Sequence, residues 1–363
     1  MVMGCTRAAN AAKQPMFAVR NGKGLQLLLE AFSARVLLVL CRCSTIALPV
    51  ELARKIGPST RFGAHLPVVN WRDYHEATKH SVESLMRARR VLDWANMPDP
   101  FRHYEGVPVL DLPADPPIPE IPALEVLQGG SGTTPVVDGP TFLSQLFFYS
   151  AAISASKRVP STGDAYALRV NPSSGNLHPT EFHFVTRGLK EWPDGIYHYD
   201  PSRHMAEQRG RGRFEAVIAR SPAPIVVILT TIAWREAWKY GERAYRYCLL
   251  DIGHAWQALA LSARAIGCKT AAFGGFDDDE IARLWRLNRD EWPMLMISLN
   301  GNSIPLGESE TGKAVWFGGR ANALSNGTMR ASVGPIRLQR GVADGCPRKP
   351  PCHQGRRRNR QGF

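Results

Sequence analysis

Regular hydrophobic patterning is concentrated between about residues 140 and 300. Apolar positions recur at helical spacing from Phe142 through FLSQLFFYSAAISASKR and predict a helix that ends before Pro160. Three strands are then predicted, at Glu181–Thr186, Gly195–Tyr199 and the β-branched run Ile225–Thr231, the last with the composition of a strand buried on both faces. Trp234–Ile266 reads as a single long helix of about 30 residues, roughly 45 Å, stopped by Gly267. The loop AAFGGFDDD, a short helix Glu280–Leu287 and a buried strand Pro293–Leu299 complete the pattern. Helices and strands interspersed around one sheet predict an α+β layered fold.

The flanking segments read differently. Residues 1–65 form a basic extension, disordered or partly helical, with one amphipathic stretch from Leu25 to about Cys41. Trp71–Trp94 is a polar helical pattern. The proline density from Pro98 to Pro122 implies an extended strap lying over a neighbouring surface. The expected organisation is 1–65 extension, 66–127 helix and strap, 128–140 linker, 141–310 main domain, and 311–363 a basic Arg/Pro/Gly-rich tail, taken as disordered.

Charge sharpens this division. The chain of 363 residues carries a formal +13, yet residues 1–65 hold nine Lys/Arg against Glu30 and Glu51, and residues 327–363 hold nine against Asp344. The middle is close to neutral, which argues against a specific nucleic-acid-binding fold. Seven cysteines at unrelated spacings include no C-x-x-C pair, so neither a metal site nor a disulfide framework is supported, and a reducing, cytoplasmic setting is expected. Glu30, Arg35 and Arg42 interrupt the apolar stretch Leu25–Val50, so no membrane span is expected there.

The chemistry-bearing stretch is NPSSGNLHPTEFHFV, Asn171–Val185. Pro172 ends the preceding chain, Ser173 and Ser174 offer hydroxyls and backbone N–H groups, Gly175 allows close approach, and the Asn176 amide matches an imide-like edge. Without further information this is equally an ordinary polar turn. Downstream, Lys239 and Tyr240 lie near the start of the long helix, with Arg243 and Arg246 spaced to act on Lys239 electrostatically; a solvated helix face explains them as well. Tyr247, Leu250, Asp251 and His254 share a helix face, and packing is the favoured role for the Asp251/His254 pair.

Taken in order, NPSSGNLHPTEFHFV, WREAWKYGERAYRYCLLDIGHA and AAFGGFDDDEI resemble the nitroreductase superfamily of FMN-dependent oxidoreductases. Within it they resemble the SagB-type branch that includes azoline oxidases. The resemblance covers about residues 140–300, with Tyr74–Ser81 and Leu92–Asn96 similar to that branch's N-terminal region. It implies a mostly antiparallel central sheet flanked by helices, one of them a long core helix, and FMN as cofactor with NAD(P)H as a transient electron donor. A homodimer and a small-molecule or modified-peptide substrate are also implied.

Carried over, the resemblance puts Pro172, Ser173, Ser174 and Asn176 in the flavin-contacting turn, Gly274 and Gly275 at the flavin's N5 edge, and Arg169 and Arg320 at its phosphate. Lys239 and Tyr240 become the pair that takes the substrate proton while flavin takes hydride. The family's Arg-Ser-x-Arg is replaced by ISASKR, which leaves Lys157 and Arg158 as positional substitutes. The unlike ends suggest a frameshift or misplaced start. Three functions are carried forward: an FMN-dependent oxidoreductase, an azoline dehydrogenase acting on a heterocyclised peptide, and a non-catalytic or truncated flavin-fold scaffold.

Overall fold

The computed structural model describes residues 71–87, 91–133, 138–158, 163 and 165–323. The expectations for 1–65 and for the far C-terminal segment lie outside these residues. Helices are α1 (Trp71–Ala77), α2 (Val82–Arg87), α3 (Ala123–Leu127), α4 (Gly139–Phe148), α5 (Glu215–Ile218), α6 (Ala233–Tyr240), α7 (Ala244–Ala265) and α8 (Asp278–Leu284). Strands are β1 (Tyr104–Glu105), β2 (Val109–Asp111), β3 (Ile153–Arg158), β4 (Ala165–Arg169), β5 (Thr180–Thr186), β6 (Gly195–Asp200), β7 (Met205–Arg211), β8 (Ile225–Thr231), β9 (Lys269–Phe273), β10 (Trp292–Asn300), β11 (Val315–Trp316) and β12 (Arg320–Ala321).

The central sheet runs β11-β7-β6-β5-β8-β10-β9, with β2 also on the β7 edge, and its pairings are antiparallel. It is the α+β layered fold expected, and the four strands read from the sequence are adjacent in it, as β6-β5-β8-β10. Alternation along β5 and β8 explains why both strands are buried throughout. Phe182, Phe184, Val227 and Leu229 join the face packed against Phe142, Leu146 and Phe147 of α4 and Ile252, Ala255 and Leu259 of α7. Val185, Val226 and Ile228 point the other way, onto Phe214, Ile281 and Trp285.

Three local predictions are corrected. The expected single helix Trp234–Ile266 is two, because Gly241 takes φ 58°, ψ −131°, a conformation no α-helix tolerates, and a 3₁₀ turn Gly241–Arg243 follows. The helix expected to run to Pro160 stops at Phe148. Asp138 caps its start, and Ile153–Arg158 instead pairs antiparallel with β4. The stretch ISASKR lies on a largely exposed hairpin and carries Lys157 and Arg158 with it. The polar helix of 71–94 is broken into α1 and α2. In addition, residues 311–323, assigned to the tail, lay β11 along β7 and pair β12 with β1.

The Pro-rich strap does lie over a surface, and buried ions fasten it. On the second sheet face Glu181, His183, His198, Glu207 and Glu291 are all essentially solvent-free. His198 bridges Glu207 (2.8 Å) and Glu181 (3.1 Å), and His183 meets Glu291 at 2.6 Å. Arg102 from the strap reaches Asp290 at 2.8 Å, and Tyr104 donates its backbone N–H to Glu207. Arg235 of α6 pairs with Glu181 and donates to the carbonyls of Asp99 and His178, both at 2.7 Å.

Burial opposes charge on His198, but its two carboxylate hydrogen bonds prevail and raise its pKa from 6.5 to about 9. The stabilisation from that charge is therefore complete below pH 6.5 and is lost as pH rises through about 9. His198→Gln removes one cation from two buried carboxylates that keep Arg235 and Arg203, a loss of about 1–3 kcal/mol at pH 6. Urea unfolding across pH 6–9 should show a shallower decline in the variant than in the natural protein.

Candidate functional site

Three connections leave the sheet at the same end. Thr231, the last residue of β8, is level with Thr180, the first of β5, and with Trp292, the first of β10, while Phe273 at the end of β9 pairs with Met296. The 171–179 turn before β5, helix α6 after β8 and the Gly274–Gly275 loop after β9 therefore share one edge of the molecule. At about 4.8 Å per strand they span roughly 14 Å. This convergence depends on strand order, which no local motif encodes.

The turn is unusual backbone. Gly175, Asn176 and His178 all have positive φ, at 60°, 61° and 48°. Such conformations persist only where the surroundings enforce them. Here the enforcing group is Asp251 of α7, 3% exposed. It accepts the Ser173 hydroxyl (2.8 Å), the Ser174 hydroxyl (2.8 Å) and the Ser174 backbone N–H (3.0 Å). Ser173 Oγ in turn accepts the His178 N–H at 2.8 Å. Asn176 donates to the Ala167 carbonyl and its side-chain oxygen meets His178 Nε2, each at 2.9 Å. Burial, helped by the charges of Arg169 and Arg235, pulls the His178 pKa down to about 3, so this ring is neutral and donates from Nε2.

Lys239 and Tyr240 stand directly over this turn. A Cβ added to Gly175 would lie 2.5 Å from the Tyr240 hydroxyl and 2.8 Å from Lys239 Nζ. The glycine is thus what lets the pair reach the turn. Burial, with the charge of neighbouring Glu236, pushes the Tyr240 phenol up to about 12, so it keeps its proton at neutral pH. Its ring packs 4.3 Å from that of Tyr247, whose hydroxyl accepts from Arg243 Nε at 2.9 Å.

Arg243 and Arg246 are committed elsewhere than the sequence suggested. Arg243 reaches the Thr78 carbonyl, and Arg246 donates to Thr78 Oγ1 (2.7 Å) and to the His75 carbonyl (3.0 Å). With Tyr74, whose hydroxyl donates to the Glu242 carbonyl, they dock the 74–81 segment onto the start of α7. The remaining predicted residues disperse. Arg169 is buried, donating to the Pro100 carbonyl at 2.6 Å and lying 5.1 Å over the Phe101 ring, so it supports the strap. Arg320 is exposed on β12, paired with Glu105 of β1. Pro172 is exposed at the turn, and Gly275 faces open space, whereas Gly274 is half-buried near the Met294 carbonyl. His254 Nδ1 bonds to the Leu250 carbonyl of its own helix and does not pair with Asp251.

Three roles escaped the sequence: Asp251 as the turn's anchor, Arg235 as the joint between α6, turn and strap, and the buried acid Glu236. The acidic-and-serine pairing across 77 residues carries no local signal. A His103–Asp200–Glu207 group is close enough to share an ion, but Arg203 already spans its two carboxylates.

Gly175→Ala should cost about 1–2 kcal/mol from the left-handed backbone alone. It should also move the Lys239 and Tyr240 termini off the turn. Thermal unfolding and the tyrosine absorbance spectrum of the variant check both parts.

Residues 164–301 match the family model described as the nitroreductase family. Over 142 residues the chain is 30% identical to a protein of Methanocaldococcus jannaschii named as a nitroreductase, covering 37% of this chain and 71% of the relative. It is 25% identical over 147 residues to the microcin B17-processing protein McbC of Escherichia coli, covering 37% of this chain and 54% of McbC, in agreement with the SagB-like branch. A crystal structure from Anabaena variabilis named as a nitroreductase superposes with a TM-score of 0.53 at 26% identity, over 67% of this chain and 50% of that one. The match thus spans about half the length of the latter two proteins. Among the described residues no helix is long and apolar enough to cross a membrane. With fold, motifs and relatives in agreement, the chain belongs to the nitroreductase family of oxidoreductases.

Proposed function

We propose that the protein is an FMN-dependent oxidoreductase whose proton-handling pair is Lys239 and Tyr240. The observation that carries this is the meeting of Lys239 Nζ and the Tyr240 hydroxyl above Gly175, in the turn where flavin contact is inferred. The ring end of FMN finds its room beside the turn: the space over Gly175 is taken by Lys239 and Tyr240, whereas Gly275 opens on free space at the same sheet end. Ser173, Ser174, Asn176, Gly274 and Gly275 would hold it, with Pro172 shaping the turn. Arg169 fits the phosphate poorly, being held by Pro100 and Phe101, and Arg320 remains a proposal by resemblance.

When bound, FMN supplies two-electron chemistry, with NAD(P)H as a transient donor. The chain's own part is protonic. Tyr240, a phenol held neutral, donates a hydrogen bond to a substrate atom, while Lys239 Nζ beside it takes or returns the proton. Asp251 fixes the turn under both, so neither side chain must reorganise the backbone on binding.

The likeness to a microcin-processing protein favours a second, narrower reading, dehydrogenation of an azoline ring in a modified peptide. On either reading Lys239→Ala should leave FMN bound, seen as the flavin absorbance of the purified protein. Turnover should fall about 10²–10⁴-fold, the usual worth of a general acid or base. Assays with a thiazoline-bearing peptide and with NADPH plus a nitroaromatic separate the two readings. Colourless protein that takes up no added FMN would refute both.

A further inference from the structure

Glu236 sits one helical turn before Lys239 on α6 and is fully buried. Among the described residues no donor reaches either of its carboxyl oxygens. The acid that acts on it is Asp251, on the facing helix α7. A fully buried carboxyl without a donor, facing a second buried acid, is not ionised along with it, so the pair keeps a proton.

Hydrogen bonding decides where that proton resides. Burial raises the pKa of Asp251 too, but it accepts two hydroxyls and one backbone N–H from Ser173 and Ser174, which favour its charged form. Glu236 has no such donors, and burial followed by the charge of Asp251 raises its pKa to about 9, against the opposing charge of Lys239. The other titratable groups facing it are the Tyr240 phenol on its own helix and the Cys248 thiol on α7, both pushed up to about 12 chiefly by burial. Asp251 thus holds the turn, its charge and that of Lys239 act on Glu236 in opposite senses, and Lys239 Nζ reaches back to Gly175.

We propose that Glu236 is a positioning acid of this site, whose retained proton leaves Lys239 at the turn instead of held in an ion pair with a buried dicarboxylate. The position of Lys239 agrees: its Nζ lies at Gly175 and over the Tyr240 ring, 5.5 Å from its centroid. The site role rests on the assignment of Lys239 above, but the buried proton does not.

Two measurements on the full-length chain, neither needing FMN, test this. In the infrared, the natural protein at pH 7 should show a protonated-carboxyl carbonyl band that shifts in D₂O, titrates away near pH 9 and is absent from Glu236→Gln. Because the folded pKa of about 9 lies above the unfolded 4.5, Glu236 contributes a stability that falls as pH rises from 4.5 through 9. Glu236→Gln, a neutral isostere, should lose that part of the decline. Second, acetylation of Lys239 by acetic anhydride is followed by peptide mass spectrometry. Above pH 9, once Glu236 ionises, the rate in the natural protein should fall about tenfold below that of Glu236→Gln, the scale of one ordinary charge coupling.

Absence of the carboxyl band at pH 7, or identical Lys239 labelling profiles in the two proteins, overturns the proposal. A protein that binds no FMN but shows both signatures would sink the flavin reading and leave this one standing.

Discussion

The arrangement of the site depends on one buried carboxylate. Asp251 holds Ser173 and Ser174 through three donors, and with that the strained backbone from Gly175 to His178 has a fixed partner on the long helix. Free in solution, a Pro-Ser-Ser-Gly-Asn segment would spread over many conformations, since each ordered residue costs roughly 1–2 kcal/mol in backbone entropy. Anchoring it from α7 converts that entropy cost into a fixed surface. The anchor is acidic and buried, and its charge acts on the second buried acid, Glu236, which keeps its proton.

The second constraint is the ionic layer on the sheet's other face. An apolar filling would pack as well, and replacing buried ion pairs with hydrophobic groups is often neutral or better for stability. What the ions supply here is connection. Glu181 on β5 ties to Arg235 on α6, which holds the turn's His178 carbonyl and the strap's Asp99 carbonyl together. Arg169, four residues ahead of Ser173, holds the adjacent Pro100 carbonyl. The strap is therefore part of the frame for the turn and for α6, even though its own residues lie away from Lys239 and Tyr240. The break at Gly241 completes this frame, because an uninterrupted helix would carry Tyr240 and Tyr247 along one rod instead of letting their rings meet at 4.3 Å.

Much of the fold could be read from local pattern. Ile225–Thr231 was legible as a doubly buried strand because seven apolar or β-branched residues in a row leave few other options. Met205–Arg211 and Lys269–Phe273 were not, since MAEQRGR and KTAAF carry too little apolar alternation to be distinguished from loops. ISASKR was misread for the same reason: its alternation is weak, and pairing with β4 decides it. At the site, the motifs named the turn and the Lys-Tyr pair, but proposed a cationic environment for Lys239. Arg243 and Arg246 turn to the 74–81 segment, and the titratable group that faces Lys239 on its own helix is the buried acid Glu236.

By itself, the sequence determined the family, the layered α+β class, the middle strands and the residue types at the turn. Those follow from short-range physics: periodicity, glycine's backbone freedom, and ordered motifs. Tertiary structure alone decided that Asp251 anchors the turn, that Glu236 is buried against it, that Arg169 serves the strap, and that Lys239 and Tyr240 meet Gly175. Each of these is a contact between strands or helices tens of residues apart. Their protonation and partners are set by burial and by charges brought close in space, which spacing along the chain does not contain.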